Sequence, residues 1–272
     1  MPLPADQFDF IRRLLEEQVG MALEQDQQFF VENRLLPVAQ RHGWRSLDPL
    51  IARLRDHHDR LLTQEVVESL MTHETSFFRD PHYFDELTER VLPRLIASRA
   101  KERRLAIWCA ACSTGQEPFS VAMILRERFT DQLRDWQVDL LATDVSSRAL
   151  EQAQSGRFSD VEARRGLSDA RLVQHFRRDP SGWQIDDRLR QMVRFQRLNL
   201  LTASPEASPR DLVLLRNVLI YMTPAARQTM LSRVKKAIHS DGHLMLGSTE
   251  ASGADCPAMT TIRPVVKLTE PN

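Results

Sequence analysis

The sequence predicts an α/β protein: a small helical domain over residues 1–75, then a doubly wound, mostly parallel sheet over 76–272, with a β subdomain inserted at about 156–191. Three observations predict it. Up to about residue 75 apolar side chains recur at helical spacing and no alternating β-branched run occurs. From Asp80 onward, short apolar runs of strand length alternate with helical patterns. Between Gly156 and Gln191 that rhythm breaks at a hairpin signal.

In the first region Phe8, Ile11, Leu14 or Leu15 and Val19 mark one helix, and Leu50, Leu54, Leu61 and Leu62 mark later ones. Pro37 lies within Asn33–Arg41, so a helix there must start near it or kink. Asp80 suits an N-cap with Pro81 at the first helical position, and Phe84, Leu87, Val91 and Leu95 supply the following apolar face. Strands are expected at Leu105–Cys109, Val138–Ala142, Met192–Phe195, Leu212–Leu215, His243–Leu246 and Val265–Leu268. Helices are expected at Pro118–Phe129, Ser147–Gln154 and Pro224–His239. The hairpin reads as His175–Arg178, a polar turn Asp179-Pro180-Ser181-Gly182, then Trp183–Ile185.

Composition narrows the function classes. Lysine plus arginine equals aspartate plus glutamate at 37 each in 272 residues, so no net field draws the chain onto nucleic acid or a membrane. The start, Met1-Pro2-Leu3-Pro4-Ala5-Asp6, does not resemble a signal peptide, and no apolar run approaches the roughly 20 residues that span a bilayer. A cytoplasmic protein is expected. Three cysteines fit a reducing compartment. Cys109 and Cys112 have CxxC spacing, but no second Cys or His pair completes a zinc set, so no metal is assigned and the pair is read as structural.

The stretch Ile107–Ser120 carries the most chemistry. A buried strand feeds a loop of small residues, Ala110-Ala111-Cys112-Ser113-Thr114-Gly115, and a helix begins near Glu117-Pro118. That arrangement aims backbone N–H groups at a nucleotide-like ligand. The next apolar run ends at Thr143-Asp144, where a carboxylate is placed to accept hydrogen bonds from ribose hydroxyls. The loop lacks the second and third glycines of the dinucleotide fingerprint, which favours a small nucleoside cofactor such as S-adenosylmethionine over NAD.

Three further segments carry polar groups. His73-Glu74-Thr75-Ser76-Phe77-Phe78-Arg79-Asp80 could form a lid over a cofactor or a capped linker whose aromatics plug an interface, and residue types leave both open. Arg216, Asn217 and Tyr221 follow the run Leu212–Leu215, at the carboxyl edge where open α/β sheets bind ligands. The alternative for Tyr221 is a half-buried side chain whose hydroxyl caps a backbone group. Asn199-Leu200-Leu201 could place an amide against an adenine edge or simply form a turn.

Together these segments resemble the CheR family, the bacterial chemotaxis receptor glutamate methyltransferases, over nearly the whole chain. The resemblance rests on His73–Asp80, Ala110–Ser120, Thr143-Asp144, Asn199–Leu201 and Arg216–Tyr221, in the family's order and spacing. It implies a Rossmann-like class I methyltransferase domain using S-adenosylmethionine, which transfers methyl to glutamates on the cytoplasmic helical bundle of a chemoreceptor. By position, His73, Thr75 and Arg79 would contact the cofactor from the junction, and Ala110 would border it. Glu117 would hold its amino group, Asp144 its ribose, Asn199 and Leu200 its adenine, with Arg216 and Asn217 lining the site. Arg79 and Tyr221 would lie nearest the transferring methyl and carry catalysis.

The chain departs from the family at His73, where asparagine is usual. The segment Asn33–His42, matching the family's basic receptor-facing helix, has only two arginines and one histidine. The downstream cluster Arg53, Arg55, His57, His58 and Arg60 could replace it or be a solvated face. The short turn Arg178–Trp183 resembles the type that does not dock on a receptor's C-terminal pentapeptide; Pro180 removes one N–H donor there, and Trp183 beside it could cover the sheet edge. A monomer is expected. Two other readings are a catalytically idle scaffold that binds the cofactor in a signalling array, and a dehydrogenase weakened by the missing glycines.

Overall fold

The computed structural model describes residues 3–57, 59–205 and 209–251. The expected strand Val265–Leu268, His58 and Cys256 lie outside the described residues. The chain forms two compact units. One comprises the residues up to Thr72 together with Tyr221–Met230; the other comprises His73–Ile220 and the residues from Leu231 on.

The first unit is helical: α1 (Ala5–Val19), α2 (Gln28–Arg41), α3 (Asp48–His57) and α4 (Arg60–Leu70). Phe8, Ile11, Leu15 and Val19 are the buried face of α1, and Gly20 ends it in the left-handed conformation, donating to the Glu16 carbonyl. Asp59 caps α4 by accepting from the Leu62 N–H, which leaves Leu62 buried and Leu61 exposed. One helix runs through Pro37, in place of a helix starting there. Val31, Leu35, Val38 and Ala39 are buried on both sides of the proline, and that burial outweighs the missing hydrogen bond. The segment Tyr221–Met230 joins this unit through a bridge between Met21 and Met222, with Ala22 N–H donating to the Tyr221 carbonyl at 2.8 Å.

The second unit opens with α5 (Pro81–Glu86), a π-helical turn (Leu87–Val91) and α6 (Leu92–Ser98). Phe84, Leu87, Val91 and Leu95 are buried as their spacing predicts. The sequence does not announce the π turn, in which Leu92 N–H reaches back to the Leu87 carbonyl just before Pro93. Asp80 does not cap α5 with its side chain: it sits at φ 58° and its carboxylate turns to Arg216 instead. An ion pair with a buried guanidinium competes successfully with a capping bond there.

Five described strands form a sheet in the order β6-β2-β1-β7-β8, all parallel: β1 (Arg104–Ala110), β2 (Gln137–Asp144), β6 (Val193–Arg197), β7 (Arg210–Leu215) and β8 (Ile238–Leu246). Buried parallel strands read as near-continuous apolar runs, and β1 and β7 are buried along almost their whole length. Helices α7 (Gln116–Arg128), α8 (Ser147–Ser155) and α12 (Pro224–Lys236) fall between strands. At the amino end of the sheet, Asp211 accepts from Arg99 at 2.6 Å and from the Ala106 N–H at 2.7 Å, tying β7 to β1.

Between α8 and β6 lies a separate three-stranded antiparallel sheet in the order β3-β5-β4, made of Arg157–Phe158, Gly182–Ile185 and Phe176–Asp179. Short helices α9 (Asp160–Arg164), α10 (Asp169–His175) and α11 (Asp187–Arg190) accompany it. Asp179 pairs with Gly182, so Pro180 and Ser181 alone form the turn. Trp183 does not cover an edge: it lies on β5, the central strand, and its indole N–H donates to Asp160 at 2.9 Å.

Candidate active site

Several of the expected site residues lie at the carboxyl ends of the parallel strands, where β1 has β2 on one side and β7 on the other. Chain order reverses at this point, which opens a crevice in doubly wound sheets. Ala110 ends β1, Asp144 ends β2, Asn199 and Leu200 follow β6, and Arg216 and Asn217 follow β7.

Asp144 is almost fully buried and accepts from the Ser113 N–H at 2.8 Å and the Ser146 N–H at 2.9 Å. Burial raises its pKa, opposed by those two N–H bonds and by the nearby His73 ring. A carboxylate offers about four acceptor positions, so two backbone bonds leave room for two more donors. His73 also closes on the loop through its carbonyl, which accepts from the Ser113 hydroxyl at 3.1 Å.

Glu117 stands in the first turn of α7, where the helix dipole favours a negative group. Its Oε2 accepts from Arg216 at 3.1 Å, and its other oxygen has no partner among the described residues. Burial pushes the Glu117 carboxyl up, and the Arg216 guanidinium opposes that rise. Arg216 is itself buried; it also donates to Asp80 at 3.0 Å and to the Arg79 carbonyl at 2.7 Å, and it lies over the Tyr83 ring. One side chain thereby joins the end of β7 to the start of α7 and to the junction segment. Arg79 points elsewhere, donating to the Glu74 carbonyl at 3.0 Å.

Left-handed backbone concentrates here, at Phe78, Asp80, Ala111, Ser113, Gly115 and Asn217. Each such non-glycine residue costs on the order of 1–3 kcal/mol and persists only where neighbours over-determine it. Several neighbours do so. The Phe78 N–H donates to the Ser120 hydroxyl at 3.0 Å, Ser113 is held by Asp144, and Asp80 by Arg216. Asn217 is held by Glu250, a residue that sequence reasoning missed. Glu250 accepts from the N–H groups of Asn217, Val218, Leu219 and Gly247 at 2.7–2.8 Å. It lies beyond the end of β8, in the short helix Ser248–Ala251, and no motif in the sequence singles it out.

Of the other expected residues, Thr75 is half-buried in the junction segment and Leu200 is buried. The Asn199 side chain accepts from the Leu201 N–H at 2.9 Å, closing a turn. Tyr221 belongs with the helical unit. Cys109 and Cys112 are buried free thiols whose pKa values burial raises, which fits packing at the strand end.

Residues 73–262 match the family described as "CheR methyltransferase, SAM binding domain", and residues 6–71 match "CheR methyltransferase, all-alpha domain". The chain belongs to the CheR methyltransferase family. It is 36% identical over 247 residues to Chemotaxis protein methyltransferase 1 of Pseudomonas aeruginosa, covering 90% of this chain and 89% of that protein. It is 33% identical over 249 residues to Chemotaxis protein methyltransferase Cher2 of Pseudomonas putida, covering 90% of each. A Chemotaxis protein methyltransferase of Vibrio parahaemolyticus is 32% identical over 243 residues, covering 88% of this chain and 86% of that protein. The cofactor of a CheR SAM-binding domain is S-adenosylmethionine, so the dehydrogenase reading is set aside. Among the described residues no helix of this CheR chain is long and apolar enough to cross a membrane.

Proposed function

We propose that this chain transfers a methyl group from S-adenosylmethionine to glutamate side chains on the cytoplasmic helical bundle of a chemoreceptor, giving glutamyl methyl esters. One observation carries the reading: in a CheR-family chain, the largely buried Glu117 stands in the first turn of α7, after β1, and the buried Asp144 ends the adjacent parallel strand β2. They fit this cofactor. The open oxygen of Glu117 suits an ammonium, and the remaining acceptor positions of Asp144 suit a ribose diol.

Ala110, Asn199, Leu200 and Asn217 would complete the walls, with His73 and Thr75 closing the site from the junction. Arg216 would act by holding Glu117. Bound cofactor supplies a methyl already activated on a sulfonium, and a glutamate with a reference pKa of about 4.3 is ionised at neutral pH, so no general base is required. The chain's contribution is alignment and exclusion of water. Arg79 would orient the incoming carboxylate through charge-assisted hydrogen bonds, and Tyr221 would line its approach.

We extend the proposal to a cytoplasmic monomer that needs no receptor pentapeptide; the two-residue turn Pro180-Ser181 supports the last of these. The idle-scaffold alternative is not favoured, because the curated relatives are named as methyltransferases. Incubation with labelled S-adenosylmethionine and receptor-containing membranes tests the substrate. Base-labile label on the receptor is expected; label only on nucleic acid or small molecules would overturn the assignment.

A further inference from the structure

We infer that the β subdomain is a positioning clamp for the segment Glu74–Arg79, so that it sets where Arg79 stands in the site; this rests on the reading of that site given above. The clamp begins at Gly166, which has φ +96°. A Cβ there would lie 1.8 Å from the Phe77 carbonyl oxygen, so no other residue allows this approach without backbone movement. The Phe77 N–H donates to the neighbouring Arg165 carbonyl at 3.2 Å, so both polar groups of the Phe77 backbone meet the same loop.

Side chains extend the grip. Phe77 is fully buried, with its ring 5.0 Å from Phe158 on β3 and 5.6 Å from Phe176 on β4, both edge-on. The Arg171 guanidinium of α10 lies 3.9 Å above the Phe78 ring and is itself fixed by Glu127, which also holds buried His175. Glu74 closes the circuit: its carboxylate pairs with Arg165 while its carbonyl accepts from Arg79. Residues 158–176 therefore hold Glu74, Phe77 and Phe78, on both sides of Thr75 and directly before Arg79.

The test is Gly166→Ala in the full chain, assayed well below its unfolding midpoint so that only folded protein is compared. The added methyl must move the Phe77 carbonyl by about 1 Å or more, a displacement that can cost about 100-fold in turnover. A fall of that order in receptor methylation is expected, with S-adenosylhomocysteine binding weakened about tenfold by calorimetry. Arg177→Ala, on the exposed face of β4, should change neither. A folded Gly166→Ala protein with wild-type turnover and affinity overturns the clamp.

Should Gly166→Ala fail to fold, amide exchange in the wild type decides. S-adenosylhomocysteine should slow exchange across residues 157–166 and 176–185 together with 74–79. Slowing confined to 74–79 contradicts the proposal. Wild-type protein that binds S-adenosylhomocysteine but methylates no receptor refutes the substrate reading, while the affinity comparison still judges the clamp. Wild-type protein that does not bind S-adenosylhomocysteine overturns both.

Discussion

Arg216 and Glu117 form an ion pair of 3.1 Å with side-chain exposures of only 2% and 14%. Taking both charges out of water is costly, so the pair adds little net stability, yet removing one partner strands the other. Arg216→Ala is therefore expected to destabilise the fold by roughly 3–5 kcal/mol in urea denaturation. Combining it with Glu117→Gln should recover part of that loss. A single-variant loss within about 0.5 kcal/mol, the range of ordinary surface changes, would show that the pair is not desolvated as described.

Burial raises the Glu117 pKa in the free protein, and this fixes the sign of two pH effects. Its contribution to folding stability is fully present below the unfolded pKa and is lost as pH rises through the raised folded pKa. Cofactor affinity runs the other way, because an ammonium needs the ionised carboxylate. S-adenosylhomocysteine binding should weaken as pH falls, beginning above an ordinary glutamate's titration range. Glu117→Gln should weaken binding at neutral pH and flatten that pH dependence, leaving the contribution of Asp144. Calorimetry across pH with an identical slope for both proteins would exclude Glu117 as the ammonium partner.

Asp144 and Arg79 should separate binding from turnover. Asp144→Ala is expected to weaken cofactor binding by about 1.5–3 kcal/mol, the range for hydrogen bonds to a charged group. Arg79→Ala should lower methyl transfer more than cofactor affinity. An unchanged dissociation constant for the first, or equal losses of affinity and turnover for the second, would contradict those roles.

The elements themselves were largely legible in the sequence. Leu105–Cys109 and Leu212–Leu215 sit inside β1 and β7 because a strand buried on both faces leaves few polar positions to confuse its limits. The place of Asp144 at the end of β2 was legible because it closes an apolar run. The links between segments were not. Gly166 carries no mark of the Phe77 carbonyl beneath it, and Asp80 beside Pro81 looks like a cap until the Arg216 guanidinium is in place. Left-handed Ser113 has no compositional signature, since Asp144, distant in sequence, holds it there.

A peptide adds a strand only where a sheet edge is free and the adjoining turn leaves room for its anchoring side chains. Here β4 is a four-residue edge that ends at once in Pro180-Ser181. No binding of an isolated aromatic-rich receptor pentapeptide is expected in calorimetric titration, and a receptor lacking such a tail should be methylated. Micromolar affinity for the peptide would place the protein with the tethered type.

A crystal structure with S-adenosylhomocysteine tests the central claim most directly. The ribose hydroxyls should lie on the Asp144 carboxylate and the amino group on the open oxygen of Glu117, with Arg216 still bonded to that same glutamate. The ligand seated away from the carboxyl ends of β1 and β2, or with neither carboxylate within hydrogen-bond reach, would contradict the account.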